Sequence, residues 1–328
     1  MRRKRALITG ISGQDGAYLS AFLIDKGYDV YGLVRRSSSD PLYRIESLTP
    51  PPKIKILYGD LRDSASLERA IKAAQPSEIY NLAAQSDVGI SFKVPEETME
   101  INYYGVGRLV NEAMRYDPGI RIYQASTSEM FGNGSPPPQN EHSPFEPVSP
   151  YAEAKYKAHE DFVKHYRHHY GLFICSGILF NHESPLRGTH FVTRKITRSL
   201  VKIKLGLQTD FELGNLYAKR DWGFAGDYVE AMWLMLQQSK PEDFVIATGQ
   251  SRSVKDFVNS AAQALNMQIS WSGRGVREVG KDTKTGKIIV RVHKKFYRPS
   301  EVNYLCGDST KAYKKMRWRP KTSFDELV

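Results

Sequence analysis

The chain is poor in cysteine: Cys175 and Cys306 are the only two in 328 residues. So few exclude a disulfide framework or a cysteine-based zinc site, and they suit a reducing compartment. Long apolar runs are missing too, and no stretch approaches the roughly 20 apolar residues of a membrane-spanning helix. The N-terminal run Ala6-Leu7-Ile8-Thr9 follows Arg2-Arg3-Lys4-Arg5, is too short for a secretory signal and ends at a glycine. A cytoplasmic location is therefore expected, which leaves the sequon Asn133-Gly134-Ser135 without use. No repeat occurs, and low complexity is confined to Pro50-Pro51-Pro52 and Pro136-Pro137-Pro138.

What is present suits a folded enzyme, with 41% hydrophobic and 25% charged residues. The length suits one large α/β unit with a smaller attached lobe. A net charge of +11 invites nucleic acid or small ligands rich in phosphate. The basic residues are spread from Arg2 to Lys321 without a single basic tail, which disfavours nucleic acid.

Short apolar runs alternate with helical spacing through the first half. Segments 6–9, 30–34, 55–58, 78–82, 122–125 and 174–179 read as strands, and 16–26 as a helix with Tyr18, Leu19, Phe22 and Leu23 on one side. Alternating β and α elements imply a parallel, doubly wound sheet, which binds ligands beyond the carboxyl ends of its strands. After Asn181 the pattern loosens. Segments 191–205 and 228–237 read as helices, 245–248 as a short strand, and 273–295 as an exposed hairpin or loop. Residues 324–328 read as the start of a helix, and the natural chain is expected to continue.

Thr9-Gly10-Ile11-Ser12-Gly13-Gln14-Asp15-Gly16 lies between the first strand and the first helix. Glycines there let the backbone turn tightly and approach a pyrophosphate, whose charge a helix N-terminus favours. The second strand is followed by Arg35-Arg36-Ser37-Ser38, where an NAD enzyme usually carries an acidic residue. These donors suit the 2′-phosphate of NADP. Asp60-Leu61, after the third strand, can hold the adenine, or Asp60 can cap the next helix.

Tyr151 and Lys155 stand one helical turn apart, after Ser149-Pro150 at a helix entry. A phenol loses its proton at about pH 10; a neighbouring ammonium and a positive nicotinamide are expected to lower that value. Lys155 can also hold the nicotinamide ribose. Thr127 and Glu129 follow the fifth strand, either as a capping threonine with a solvated carboxylate or as a hydroxyl ligand and a proton carrier. A simple reductase needs no such carboxylate, whereas elimination of water beside a ketone needs a base and an acid. The cluster His165, Tyr166, Arg167, His168, His169 reads as a solvated helix face, and no metal is expected.

The glycine loop, Arg35-Arg36-Ser37-Ser38, Asn81-Leu82-Ala83-Ala84-Gln85-Ser86, Ser126-Thr127-Ser128-Glu129 and Tyr151-x-x-x-Lys155 resemble the extended short-chain dehydrogenase/reductases. Asn181-His182-Glu183-Ser184-Pro185, Phe191-Val192-Thr193-Arg194-Lys195, Lys219-Arg220-Asp221-Trp222 and Tyr297-Arg298-Pro299-Ser300-Glu301 narrow the resemblance to the GDP-mannose 4,6-dehydratase family, over essentially the whole chain. The resemblance implies a Rossmann-type fold. Its NADP-binding lobe would span 1–180 with 221–248 returning to it, and its GDP-sugar lobe 181–220 and 249–328. It implies that Tyr151 takes the C4 hydroxyl proton while hydride passes from C4 to NADP⁺. Glu129 then removes the C5 proton, Glu129 or Thr127 assists loss of water from C6, and the hydride returns to C6. The product implied is GDP-4-keto-6-deoxy-mannose.

By the same resemblance Leu82, Ala84, Ser86, His182 and Arg187 join the cofactor contacts. Ser86, Asn181, Val192, Lys195, Arg220, Arg298 and Glu301 hold the GDP-sugar, and the protein is a homodimer or homotetramer. Leu186, Asp87 and Glu97 depart from the family pattern. The first two bear on the sugar, since close relatives act on GDP-manno-heptose; the third bears on a cofactor contact. A reductase or epimerase acting on GDP-4-keto-6-deoxy sugars would keep Tyr151 and Lys155 without needing Glu129. A non-catalytic NADP-binding or nucleic-acid-binding protein would need none of the set.

Overall fold

Arg5–Thr9 forms the first strand, and its middle residues Ala6, Leu7 and Ile8 are shut away from solvent on both faces. The computed structural model describes residues 3–38 and 40–328, so Arg2 of the N-terminal basic run lies outside the described residues. In chain order the first half carries β1 (Arg5–Thr9), α1 (Gln14–Asp25), β2 (Asp29–Val34), β3 (Lys55–Tyr58), α2 (Ser64–Ala74), β4 (Glu78–Asn81), α3 (Gly105–Tyr116), β5 (Arg121–Thr127), α4 (Pro150–Ala158) and β6 (Phe173–Leu179). The second half carries β7 (Asn181–Glu183), α5 (Val192–Lys204), β8 (Phe211–Leu213), β9 (Lys219–Phe224), α6 (Ala225–Leu236), β10 (Phe244–Ile246), β11 (Ser251–Ser253), α7 (Val254–Ala264), β12 (Ile269–Ser272), β13 (Val279–Asp282), β14 (Ile288–Val292) and α8 (Thr310–Met316).

A seven-stranded sheet runs in the order β10-β6-β5-β4-β1-β2-β3, parallel throughout. Ala6 and Ile8 face a core shared with Leu19 and Leu23 of α1 and Met232 of α6. Leu7 faces the opposite core, with Leu67 and Ile71 of α2 and Leu109 of α3. Covering by helices on both faces is why these strands read as unbroken apolar runs. Each buried Leu or Ile contributes about 1.5–3 kcal/mol. The winding reverses between β3 and β4, which opens a crevice over the carboxyl ends of β1 and β4.

Two smaller sheets, β11-β9-β7 and β12-β13-β14-β8, stand beyond those ends. Their core gathers Ile196 and Leu200 of α5 with Trp222, Phe257 and Val290. Segment 273–295 is more than the exposed hairpin or loop expected from its glycines and charges. β13 and β14 are interior strands of the four-stranded sheet, with Ile289, Val290 and Val292 buried. The charged turn between them masked the short apolar run. The chain also returns to the large sheet: β10 adds its edge strand, and Ala312, Met316 and Trp318 pack into the core of α1 and α6. No helix among the described residues is long and apolar enough to cross a membrane.

Candidate active site

The turn after β1 requires two of its glycines. Gly10 sits at φ +68°, and a Cβ there would lie 2.7 Å from the Ala83 amide nitrogen. At Gly16 a Cβ would lie 2.5 Å from the Ile11 Cα. Gly13 donates to the Gly10 carbonyl at 2.9 Å and opens α1 with no side chain capping it. The uncapped helix start faces the crevice where the winding reverses, and this close-packed cradle fits the pyrophosphate of a dinucleotide.

Gln14, Asp15 and His182, expected to meet the cofactor, are also bound to one another. His182 Nε2 lies 2.8 Å from Asp15 Oδ2, its Nδ1 lies 2.8 Å from the Phe180 carbonyl, and its ring stacks on Tyr228. Burial alone would raise the Asp15 carboxyl and lower the imidazole. Their attraction outweighs it, holding Asp15 below the usual carboxylate range and His182 above the usual imidazole range. Gln14 donates to the His182 carbonyl at 3.1 Å and accepts from Ser184 at 2.7 Å. The first turn of α1 packs against β7, so polar side chains there must find internal partners. Arg44, unforeseen in the sequence, ties this region together by donating to the Ser12 and Leu186 carbonyls at 3.1 and 2.9 Å.

Arg35, Arg36, Ser37 and Ser38 are exposed beyond the end of β2. Asp60 is gripped by Arg62 at 3.1 and 2.8 Å, and those hydrogen bonds keep its carboxyl below the usual range. Asp63, not Asp60, caps α2 by accepting from the Ala65 amide. Leu61 is buried; Leu82 and Ala84 are half-buried and Ser86 exposed along the segment after β4.

β5 and α4 bring Thr127, Glu129, Tyr151 and Lys155 together. Ser149 caps α4 by accepting from the Ala152 amide at 3.1 Å, and Pro150 occupies its first turn. The helix therefore starts where Tyr151 and Lys155 both turn inward, and both are buried. Thr127 Oγ1 accepts from the Glu129 amide at 3.2 Å and also hydrogen-bonds Tyr151. Glu129 is only 6% exposed, against the solvated alternative, and its Oε1 lies 3.8 Å from Arg298. The expected depression of the Tyr151 phenol is absent from the protein alone. Burial pushes it up to about 12, the Glu129 carboxylate adds to that, and Thr127 and Arg187 only partly oppose it. Lys155 is itself pushed down to about 8 by burial and donates to the Ala125 carbonyl at 2.8 Å.

Across the cleft, Arg220 lies 3.8 Å from Glu301 and electrostatically close to Glu129 and Arg298. Lys195 sits over the Phe296 ring at 3.6 Å, and Val192 is exposed at the start of α5. Asn181 Oδ1 is buried without a partner among the described residues, an acceptor left for a ligand. Arg187 stacks on Phe191 and pairs with Glu183 at 3.2 Å, without the alignment of a hydrogen bond. Asn133 and Asn215 hydrogen-bond the Glu301 carbonyl and carboxylate; the sequence offered only an unused sequon at Asn133 and no motif at Asn215. Of the departing residues, Asp87 caps the short helix Val88–Ser91, Leu186 packs on the large core, and Glu97 is exposed. The His165 and His169 rings lie 4.3 Å apart at a tilt of 35°, and no group of three metal-ligating side chains forms among the described residues.

The family model described as GDP-mannose 4,6 dehydratase matches residues 7–328. The chain is 52% identical to the GDP-mannose 4,6 dehydratase of Homo sapiens, over 99% of this chain and 90% of that protein. It is 50% identical to the GDP-mannose 4,6-dehydratase of Sinorhizobium fredii, over 99% of this chain and 95% of that protein. Among solved structures, the dTDP-glucose 4,6-dehydratase of Bacillus anthracis in complex with NAD superposes with a TM-score of 0.79 at 20% identity, covering 99% of this chain and 94% of that one. The UDP-glucose 4-epimerase of Thermus thermophilus in complex with NAD gives 0.79 at 24%, covering 98% and 96%. At those identities the solved structures speak for the fold.

Proposed function

The chain belongs to the GDP-mannose 4,6-dehydratase family, and from that premise we propose that it converts GDP-mannose to GDP-4-keto-6-deoxy-mannose with NADP as a resident cofactor. When bound, the nicotinamide supplies a reversible hydride acceptor, so the overall reaction is dehydration without net redox change. The cradle of Gly10, Ser12, Gly13 and Gly16 holds the pyrophosphate on the start of α1. Arg35, Arg36, Ser37 and Ser38 read the 2′-phosphate, Asp60 and Leu61 border the adenine, and Leu82, Ala84 and Ser86 border the middle of the cofactor. The Asp15–His182 pair and Gln14 brace this cradle from beneath. The lobe of 181–220 and 249–328 holds the GDP-sugar. Arg220 and Arg298 grip its diphosphate, for which the planar guanidinium is suited. Ser86, Asn181, Val192, Lys195 and Glu301 complete the grip.

Tyr151 accepts the proton of the C4 hydroxyl, helped by the Thr127 hydrogen bond. A phenol held near 12 needs added positive charge to act as a base near neutrality. The cofactor ring, Lys155 and Arg187 supply it, and Lys155 holds the nicotinamide ribose. Glu129 removes the C5 proton, acidified by the C4 ketone, and returns a proton to the departing C6 hydroxyl; as C6 regains the hydride C5 takes up a proton, and Tyr151 sheds the one it accepted, so the site is reset.

The observation that carries this reading is the buried carboxylate of Glu129 in the same cleft as Thr127 and Tyr151. A reductase or epimerase has no use for it. Glu129→Gln is expected to lower dehydration by about 100-fold or more while calorimetric binding of NADP⁺ and GDP-mannose persists. Turnover near the wild-type rate would overturn the assignment.

A homodimer or homotetramer belongs to the same proposal. Tyr103, Tyr104, Phe162, Tyr166 and Tyr170 form a continuous strip of ring contacts along the helical face of 100–116 and 150–170. Tyr104 and Tyr170 are 51% and 58% exposed, which suits a covering partner.

A further inference from the structure

Beneath the crevice, an unbroken string of hydrogen bonds crosses three strands, from the last residues of β1 and β4 to the middle of β5. The Ala83 amide donates to Thr9 Oγ1 at 3.2 Å, and that hydroxyl donates to Asn81 Oδ1 at 2.5 Å. Asn81 Nδ2 donates to Gln124 Oε1 at 2.7 Å, and Gln124 Nε2 donates to the Ala125 carbonyl at 3.0 Å. The same carbonyl accepts from the Lys155 ammonium at 2.8 Å. Thr9, Asn81 and Gln124 are at most 1% exposed.

The direction of the string is forced from its Ala125 end. A carbonyl can only accept, so Gln124 must turn Nε2 to Ala125 and Oε1 to Asn81, which leaves both carboxamides one permitted orientation. The Ala125 carbonyl has two lone pairs; Gln124 takes one and Lys155 the other. Simple core filling would be met by apolar side chains at 81 and 124, without the desolvation of two amides. The string starts at the segment 82–84, against which Gly10 packs, and ends at the ammonium.

We propose that Gln124 is a positioning residue for Lys155: it fixes the Ala125 carbonyl that anchors the ammonium, and through Asn81 and Thr9 it ties that anchor to the loops that bracket the dinucleotide. The proposal rests on the cofactor role given to Lys155 above. Gln124 is 1% exposed and has no surface to offer a ligand, so it acts through the lysine.

The test is a double-mutant cycle on the full chain, with NADP⁺ affinity measured by calorimetry and folding checked by thermal melting. Gln124→Met keeps the volume and removes both hydrogen bonds. It is expected to weaken NADP⁺ by about tenfold, the size of one lost hydrogen bond, and to lower kcat with little change in KM for the GDP-sugar. In a Lys155→Met background the same substitution is expected to cost nothing further, because its route is already cut. If Q124M fails to fold, Asn81→Leu with Gln124→Met removes both amides together, leaves neither orphaned, and serves the same cycle. Wild-type affinity in the Gln124 variant, or a full additional loss in the Lys155→Met background, would overturn the proposal. Unchanged affinity in Lys155→Met alone would overturn the cofactor role of Lys155 and take this proposal with it.

Discussion

Burial holds the Lys155 ammonium at about 8, against 10.5 for a free lysine. Between those values the unfolded chain binds the proton and the folded chain releases it, so this group's contribution to stability rises with pH. Below pH 8 the full penalty applies, on the order of 3 kcal/mol. Lys155→Met is therefore expected to melt higher than the wild type at pH 7 without cofactor, with the gap closing between pH 8 and 10.5. A wild type more stable than the variant at pH 7 would show that the buried charge is compensated by contacts beyond the Ala125 carbonyl. Arg35 offers a second residue-scale outcome. Arg35→Asp is expected to weaken NADP(H) much more than NAD(H) in parallel titrations. Equal losses would mean that Arg35 does not read the 2′-phosphate.

At the scale of elements, the turn between β1 and α1 is the least forgiving. A methyl at Gly16 would press on the Ile11 Cα at 2.5 Å and the Gly10 carbonyl oxygen at 2.6 Å, both backbone atoms with no room to move aside. Gly16→Ala is expected to cost about 2–3 kcal/mol in denaturant unfolding and to abolish NADP⁺ binding. A variant that binds normally would place the pyrophosphate elsewhere.

The elements of the first half were legible because parallel strands covered on both faces leave unbroken apolar runs between glycine turns. β13 and β14 were not, because their short runs flank a charged turn and their partner β8 lies far back in the chain. The same distinction runs through the site. Tyr151 with Lys155, and Thr127 with Glu129, sit one helical turn or less apart and could be read locally. The partners of Asp15, Asn133 and Gln124 lie 167, 168 and 43 residues away, and no local spacing announces them. The contact that joins Asp15 to His182 is of the same kind: it comes from the packing of α1 on β7 and no local spacing announces it.

At the scale of the whole molecule, the proposed cofactor cradle lies on the large sheet, and Glu129 lies between it and the guanidinium groups of Arg220 and Arg298. The exposed aromatic strip gives the proposed homo-oligomer a testable face. Tyr104→Asp is expected to shift the sedimentation of the protein toward the monomer, because a carboxylate would be buried against a second strip. An unchanged assembly would move the interface elsewhere. The central claim is the dehydration itself. The most direct measurement is mass spectrometry of GDP-mannose deuterated at C4, incubated with the purified protein and catalytic NADP⁺, beside a GDP-manno-heptose control. The account predicts loss of one water from GDP-mannose, retention of the deuterium at C6 and no accumulation of NADPH. Loss of water from the heptose alone, or no loss with NADPH accumulating, would contradict it.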